Sequence, residues 1–214
     1  MNIENPKLVA VVSVCYGQRF EIPMHVNSFL CQTNQNYNLY LVHDGPSEQF
    51  DKIKEQYKEH KNIFFINTPE RKNDWGHSSR KWMLERLQLN EAKYLLITNA
   101  DNYYMPKLIE SINEEERVDL ITLNCVYTRP IHCSITSHGH ILKHRVNHKY
   151  DILLPKLVIN HIDMGQFIID LNKAKEIGFN STSFAADWEY LEEFLKRNPN
   201  YSYKHINKTL FVHN

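Results

Sequence analysis

The sequence is poor in glycine, in paired cysteines and in net charge. Its 214 residues include only 6 glycines and 4 cysteines, and 25 basic side chains balance 25 acidic ones. Neither G-x-G-x-x-G nor G-x-x-x-x-G-K-[ST] occurs, which argues against a dinucleotide oxidoreductase and against a P-loop enzyme. The balance of charge gives no electrostatic reason to expect nucleic acid as a partner.

The cysteines and the apolar segments favour a reducing, aqueous setting. Cys15, Cys31, Cys125 and Cys133 form no C-x-x-C pair, as expected of cysteines that stay reduced in a cytosol. The apolar run Leu8–Tyr16 lacks the basic start and the cleavage site of a signal peptide, and no stretch is long enough to span a bilayer. We therefore expect a cytoplasmic protein without a membrane span, and peripheral contact with a membrane through the substrate stays open.

Apolar segments with strand-like and helix-like spacing alternate along the chain. Strands are predicted at Leu8–Cys15, Tyr37–His43, Ile63–Ile66, Tyr94–Thr98 and Leu120–Leu123. Helices are predicted between them at Pro23–Cys31, Ser47–His60, Ser78–Leu89 and Met105–Ile112. The alternation predicts an α/β fold whose mostly parallel, Rossmann-like central sheet is flanked by helices. The length allows one domain.

The regular alternation ends after Asn124. The tract from about Val126 to Asn160 carries, without a clear period, His132, His138, His140, His144, His148 and Tyr150. These spacings match no common zinc pattern, so a substrate-lining loop or a surface loop is favoured over a zinc site. Regular elements are predicted again at Gln166–Asp170, Leu171–Ile177, Phe184–Lys196, Tyr201–Ile206 and Thr209–His213.

One buried strand ends in a polar cluster suited to a ligand. Tyr94–Thr98 runs directly into Asn99-Ala100-Asp101-Asn102, which is one carboxylate with carboxamides on both sides. Burying Asp101 without a partner would be costly, so we expect it to meet solvent, a cation or a ligand. Ligands bind at the carboxyl ends of strands in open α/β sheets. These residues alone leave open the alternative that Asp101 starts a turn or caps the next helix.

Motifs in a consistent order resemble those of glycosyltransferases with the GT-A fold, and glycosyltransferase family 2 in particular. In chain order they are Val12–Tyr16, the turn His43–Ser47, the helix start Gly76–Lys81, the Asp-x-Asp-like Asn99–Asp101, the aromatic segment Gly165–Ile169 with Ile177–Phe179, and Ala186–Trp188. The resemblance covers almost the whole chain. It departs from the family at His43, Asn99 and Ala186, each of which stands where the family usually has an acid.

The resemblance implies a single GT-A domain over residues 1–214. Its nucleotide-sugar half would lie at about 1–104 and its acceptor half at about 105–214. The implied activity is transfer of a hexose from a nucleotide diphosphate, with UDP favoured, to a glycan or lipid-linked glycan, with inversion, as in polysaccharide biosynthesis. The departures leave open an inactive module that binds a sugar nucleotide or a glycan. A nucleotidyltransferase of related fold usually needs a glycine-rich N-terminal loop, which is absent.

The same resemblance assigns roles to individual residues. The residues implied in donor binding are Val14, Cys15, Tyr16, Asp44, Arg80, Asn99, Ala100 and Asp101. Asp101 would anchor Mn²⁺ or Mg²⁺, because these cations prefer oxygen ligands and need few from the protein when phosphates supply the others. His213 resembles the histidine that completes the metal shell in several GT-A enzymes, which would favour manganese.

Asp187 resembles the catalytic base of the family. A carboxylate there would take the proton of the attacking hydroxyl. The residues themselves leave simpler roles open: Asp187 as the cap of its helix, Arg80 as a solvated helix charge, and His213 as a solvated terminal side chain.

Overall fold

The fold is that of a computed structural model, in which residues 6–17, 20–114, 116–127, 133–135, 141–143 and 151–214 are described. The strands are β1 Lys7–Cys15, β2 Tyr37–His43, β3 Ile63–Asn67, β4 Ala92–Asn99, β5 Tyr103–Tyr104, β6 Leu120–Tyr127, β7 Cys133–Ile135, β8 Ile141–Lys143, β9 Asp151–Leu153, β10 Phe167–Asp170 and β11 Tyr203–His213. The helices are α1 Glu21–Leu30, α2 Glu48–Gln56, α3 His77–Arg86, α4 Leu108–Asn113, α5 Leu171–Ile177 and α6 Ala186–Arg197, and a short 3-10 helix spans Met164–Gln166.

Nine strands form one sheet in the order β3-β2-β1-β4-β10-β6-β11-β5, with β9 paired to β6, while β7 and β8 form a separate hairpin. The pairs β1–β2, β1–β4, β2–β3 and β6–β11 are parallel. Strand β10 runs antiparallel to both β4 and β6, so β6 and β11 point the same way as β1 to β4. The prediction of an α/β fold with a mostly parallel sheet flanked by helices is confirmed.

The continuous apolar run of β1 follows from burial on both faces of the sheet. Val9 and Val11 pack with residues of α1, α2 and α4, whereas Ala10 and Val12 pack with residues of α3, α5 and α6. A parallel strand covered on both faces needs apolar side chains at every position rather than at alternate ones. The helices thus cover both faces and leave the carboxyl ends of β1, β2 and β4 at one edge.

The C-terminal segments differ from the sequence prediction. Tyr201–Ile206 and Thr209–His213, expected as separate strands, form the single strand β11, which is interrupted by register shifts between Ile206 and Phe211. The end of this strand is not a free edge of the sheet, because β5 pairs with Phe211 and Val212 on the side of β11 away from β6. His213, the next residue, pairs with Tyr127 of β6.

The described part of the chain also bears on membrane spans, on the cysteines and on the histidine-rich tract. No helix within it is long and apolar enough to cross a membrane. Cys15, Cys31 and Cys125 are free thiols. The six residues named in the histidine-rich tract, from His132 to Tyr150, all lie outside the described residues, so its three alternative roles remain predictions.

Candidate functional site

A cleft of about 450 Å³ opens at the carboxyl ends of β1, β2 and β4. We call it the strand-end cleft, and it is lined by Val14, Cys15, Tyr16, Asp44, Asn73, Trp75, Gly76, Asn99 and Asp101. Apart from Arg80 and Ala100, every residue that was predicted to bind the donor lines it. This edge is where open α/β sheets bind their ligands.

The residues at the ends of β1 and β2 line the cleft and also hold its rim. Both carboxylate oxygens of Asp44 accept backbone N–H groups, from Lys72 at 2.8 Å and from Asn73 at 2.8 Å. A carboxylate has further lone pairs for a ligand, so Asp44 can anchor this loop and still face the cleft. Burial, with a contribution from Asp101, raises the pKa of the Cys15 thiol, which makes it a poor nucleophile at neutral pH.

Arg80 lies beneath the cleft rather than on a solvated helix face. Its side chain is 5% exposed. Its Nη2 donates to Asn99 Oδ1 at 2.6 Å and its Nη1 donates to the carbonyl of Trp75 at 2.9 Å, while its Nε has no hydrogen-bond partner. Gly76, which precedes α3, has a φ of +81°, and a Cβ there would lie 2.8 Å from Val14 Cγ2, so glycine lets the start of α3 pack closely against β1. The interpretation of Arg80 as a solvated charge is wrong.

The carboxamides beside Asp101 are already hydrogen-bonded within the protein. Asn99 Oδ1 accepts from Arg80, and Asn102 Oδ1 accepts from the backbone N–H of Asn214 at 3.3 Å. Asn102 is 1% exposed and also donates to Thr98. Ala100 is buried in the core, and its side chain does not line the cleft. These contacts leave Asp101 as the only ionisable member of this cluster.

Asp101 presents an acceptor without a protein donor. Its Oδ1 atom is buried and has no hydrogen-bond partner. Burial raises the pKa of Asp101, while a hydrogen bond from its own backbone N–H to the carboxylate and the charge of His213 oppose that shift. Across the described residues, no group of three or more His, Cys, Asp and Glu side chains is arranged to hold a metal ion. A cation bound here would therefore need ligands from the substrate as well.

Asp187 lies in the first turn of α6 but does not cap it. The N-cap is Ala185, and no side chain caps the helix. Instead, Asp187 Oδ2 accepts the N–H of Met164 at 3.1 Å, which ties α6 to the 3-10 helix. Burial and the nearby charge of Asp163, opposed by Arg80, raise the pKa of Asp187 to about 6. The capping interpretation is wrong.

Asp163 joins the site although the sequence analysis did not single it out. It caps the 3-10 helix, since its Oδ1 accepts from the N–H of Gly165 at 2.8 Å while Gln166 Oε1 accepts its own N–H at 3.0 Å. Its Oδ2 lies 3.3 Å from Nε2 of His213. The Asp-x-x-Gln spacing of a capping box was a signal for the cap, but nothing local indicated the contact with His213.

His213 is the last residue of β11 and packs inside the site. Its ring stacks on that of Tyr127 with centroids 4.8 Å apart, and it faces Asp163. The hydrogen bond with Asp163 raises the pKa of His213. The interpretation as a solvated terminal histidine is wrong. Both His213 and Asp163 line a second cleft of about 210 Å³, together with Cys125, Tyr127, Leu153, Leu154, Asn160, His161, Ile162 and Gln166.

Comparison with known proteins gives matches among solved structures. No protein-family model and no curated protein sequence matches the chain. The structure of S. aureus TarS 1–349 matches with a TM-score of 0.69 and 14% identity, over 97% of this chain and 60% of that one. The same protein in complex with UDP-GlcNAc matches with a TM-score of 0.69 and 14% identity, over 96% of this chain and 58% of that one.

A mannosyltransferase from Pyrobaculum calidifontis, in complex with GDP-Man and Mn²⁺, has the same fold. It matches with a TM-score of 0.65 and 10% identity, over 99% of this chain and 58% of that one. The chain thus spans about 60% of the length of TarS 1–349. At these identities the similarity establishes the fold, and the predicted GT-A fold is confirmed.

Proposed function

We propose that the protein is a glycosyltransferase that moves a hexose from a nucleotide diphosphate, UDP being favoured, to a hydroxyl group of a glycan or lipid-linked glycan. The observation that carries the proposal is that the carboxylates of Asp101 and Asp187 both interact electrostatically with Arg80, which is hydrogen-bonded to Asn99 at the end of β4. Related folds have been solved with UDP-GlcNAc in TarS and with GDP-Man in the mannosyltransferase. Their nucleotide sugars support a donor of this class here.

The two clefts suggest how the chain divides its tasks. Among the described residues, those that line the strand-end cleft come from positions 14 to 101, whereas those that line the second cleft come from positions 125 to 213. We assign the donor to the strand-end cleft and the acceptor to the second cleft. This assignment matches a donor half at about residues 1–104 and an acceptor half at about 105–214 within one GT-A domain.

The residues present fit a divalent cation at Asp101. Its buried, unpartnered oxygen is a suitable ligand, and His213, which interacts with it electrostatically, would supply a second one. Imidazole suits Mn²⁺ better than Mg²⁺, and Mn²⁺ accompanies GDP-Man in the mannosyltransferase. When bound to the diphosphate, such a cation neutralises the negative charge that the leaving group gains.

Asp187 would act as the catalytic base. The acceptor oxygen attacks the anomeric carbon, its proton passes to the Asp187 carboxylate, and the bond from that carbon to the phosphate oxygen breaks. Displacement from the opposite side inverts the configuration. A base with a pKa of about 6 is mostly ionised at pH 7 and is still basic enough to take a proton. Arg80 supports this role because its positive charge favours the ionised form.

A binding module without activity is the second candidate. Asn99, which replaces an acid of the family motif, uses its carboxamide oxygen to accept from Arg80. Ala186, which replaces another, is 2% exposed and packs in the core. Neither position can supply a charged group to a substrate. A binding module would still bind the sugar nucleotide but would not transfer the sugar, so turnover distinguishes it from the enzyme.

A panel of nucleotide sugars, with and without Mn²⁺, tests both candidates. A true donor should raise the melting temperature, because binding to the folded state stabilises it by mass action. Asp101→Ala should abolish the Mn²⁺-dependent part of that shift and leave the melting temperature without ligand nearly unchanged. Equal affinity for UDP in Asp101→Ala and the wild type, at matched Mn²⁺, would remove Asp101 from the site. Release of UDP from the stabilising donor then separates the enzyme from the binding module.

A further inference from the structure

Trp75 is a large apolar side chain that the fold leaves exposed at the rim of the strand-end cleft. Its side chain is 75% exposed. Its backbone has a φ of +57°, in the left-handed region that bulky L-residues rarely adopt. Exposure of an indole and a strained backbone both cost stability. Such local costs concentrate at functional sites, where the surrounding structure enforces them.

The loop around Trp75 is held in place from several sides. Asp44 accepts the N–H groups of Lys72 and Asn73, and Arg80 donates to the carbonyl of Trp75 itself. The carboxylate of Asp74 accepts from the backbone N–H of Ser78 at 2.9 Å, which fixes the start of α3. The backbone under the indole is therefore positioned before any ligand arrives, and a ligand need not supply free energy to order it.

Tyr16, the other exposed aromatic residue of the cleft, already has a partner over its ring. The guanidinium carbon of Arg71 lies 3.9 Å from the centroid of the Tyr16 ring, and the ring of His43 lies at 5.6 Å with a tilt of 32°. Trp75 differs, since it is 75% exposed against 50% for Tyr16, and the ring nearest to it, that of His77, lies 6.1 Å away at an angle of 75°. The faces of the indole are thus more available for a flat ligand than those of Tyr16.

We propose that Trp75 stacks on the nucleobase of the donor nucleotide, a proposal that rests on the proposed function. Nucleobases present flat aromatic faces, and stacking on an aromatic side chain accepts any base. Asn73 and Asp44 connect Trp75 to the end of β2, which lies two strands away from Asp101, where the proposed cation would bind. Of the two exposed aromatic residues of the cleft, Trp75 rather than Tyr16 therefore takes the base. Tyr16, with Arg71 over its ring, becomes part of the wall of the cleft.

Two substitutions of the same residue separate stacking from folding. Trp75→Gly removes the ring and relieves the left-handed backbone, because glycine adopts this conformation at no steric cost. Its melting temperature should be equal to or higher than that of the wild type, while its Kd for UMP and UDP should rise roughly 5- to 150-fold. Trp75→Phe keeps an aromatic face and should bind within a few-fold of the wild type.

Tryptophan fluorescence gives a second measurement on the intact protein. Titration with UMP should quench the emission of the wild type and should leave that of Trp75→Phe nearly unchanged. Trp82→Phe is the matched control, because the Trp82 ring lies 3.9 Å from the guanidinium carbon of Arg86 and outside the strand-end cleft. That variant should keep both the quenching and the affinity.

The outcomes distinguish this inference from the proposed function. Wild-type affinity for UMP in Trp75→Gly overturns base stacking, and weakened binding of a sugar 1-phosphate in the same variant would reassign the ring to the donor sugar. In either case the proposed function stands if Mn²⁺-dependent binding of UDP still requires Asp101. A wild-type protein that binds no nucleotide in the panel would refute both.

Discussion

Asp187→Asn is expected to abolish most of the activity and to raise stability at neutral pH. Burial and the charge of Asp163 raise the pKa of Asp187 from its ordinary value of 3.8 to about 6. Because the folded-state pKa is the higher one, the neutral carboxyl stabilises the fold below pH 3.8, and this contribution is lost as the pH rises through 6. At pH 7 the folded protein holds a buried charge that asparagine lacks.

The size of the gain follows from the two pKa values. The difference between 3.8 and about 6 corresponds to roughly 3 kcal/mol, at about 1.36 kcal/mol for each pH unit. Asparagine can still accept the N–H of Met164, but it loses a favourable interaction of about 0.3–1 kcal/mol with the dipole of α6. The net gain at pH 7 is then about 2 kcal/mol, or roughly 4–8 °C in melting temperature. Turnover should fall by roughly 10²–10⁴.

Calorimetric melting at pH 4 and pH 7, with the initial rate at pH 7, tests this expectation. The gain should shrink toward zero at pH 4, where the wild-type carboxyl is also mostly neutral. Glu189→Gln is the matched control, because it removes a charge from the same helical turn, where hydrogen bonds from Ser181 and Ser183 lower the pKa of Glu189. It should melt at the wild-type temperature or below. If Asp187→Asn behaves likewise and keeps its activity, Asp187 is an anchor of the 3-10 helix and not the base.

Substitutions at other residues of the site test its geometry and its cation. Gly165→Ala would place a Cβ 2.6 Å from Phe211 Cζ. We therefore expect the free energy of unfolding to fall by about 1–3 kcal/mol and turnover to slow; an unchanged melting temperature would contradict this. Arg80→Lys cannot make both hydrogen bonds of the guanidinium, so the free energy of unfolding should fall by about 1.5–3 kcal/mol and calorimetry should show weaker binding of UDP. Unchanged affinity for UDP would show that the site does not need these two hydrogen bonds. His213→Ala should weaken Mn²⁺-dependent binding of UDP. It should also remove the loss of binding that protonation of His213 causes as the pH falls, a loss that sets in above pH 6.5 because the hydrogen bond with Asp163 raises the pKa of His213; an unaltered pH profile would exclude His213.

The strand-end cleft could be predicted from the sequence because its residues follow local signals. Each of β1, β2 and β4 is an apolar run that stops at a polar residue, and parallel strands bring such ends to one edge whatever their order. The positions of Tyr16, Asp44 and Asp101 follow from this rule. The rule needs only the direction of the strands, which the alternation with helices supplies.

The remainder of the site depends on contacts between distant segments. Asp163 reaches His213 because β10 inserts antiparallel between β4 and β6, and no local pattern records the direction in which a short strand inserts. The burial of Arg80 was equally hidden, since α3 also buries the polar side chains of His77 and Ser79. Only the second half of α3 buries apolar side chains, Met83 and Leu84, so no apolar stripe extends to the first turns from which their buried face could be identified.

The electrostatics of the site give a physical reason for the asparagine that replaces the first acid of the family motif. Arg80 is the buried cation of the cluster, and the carboxylates of Asp187, Asp163 and Asp101 all favour its charged form against the burial that lowers its pKa. Its shortest hydrogen bond goes to the carboxamide of Asn99, which takes the donor without neutralising the charge. An aspartate at position 99 would form an ion pair with Arg80 and would screen it from Asp187. With asparagine there, Arg80 positions the end of β4 and still lowers the cost of ionising Asp187, the group whose charged form the proposed chemistry requires.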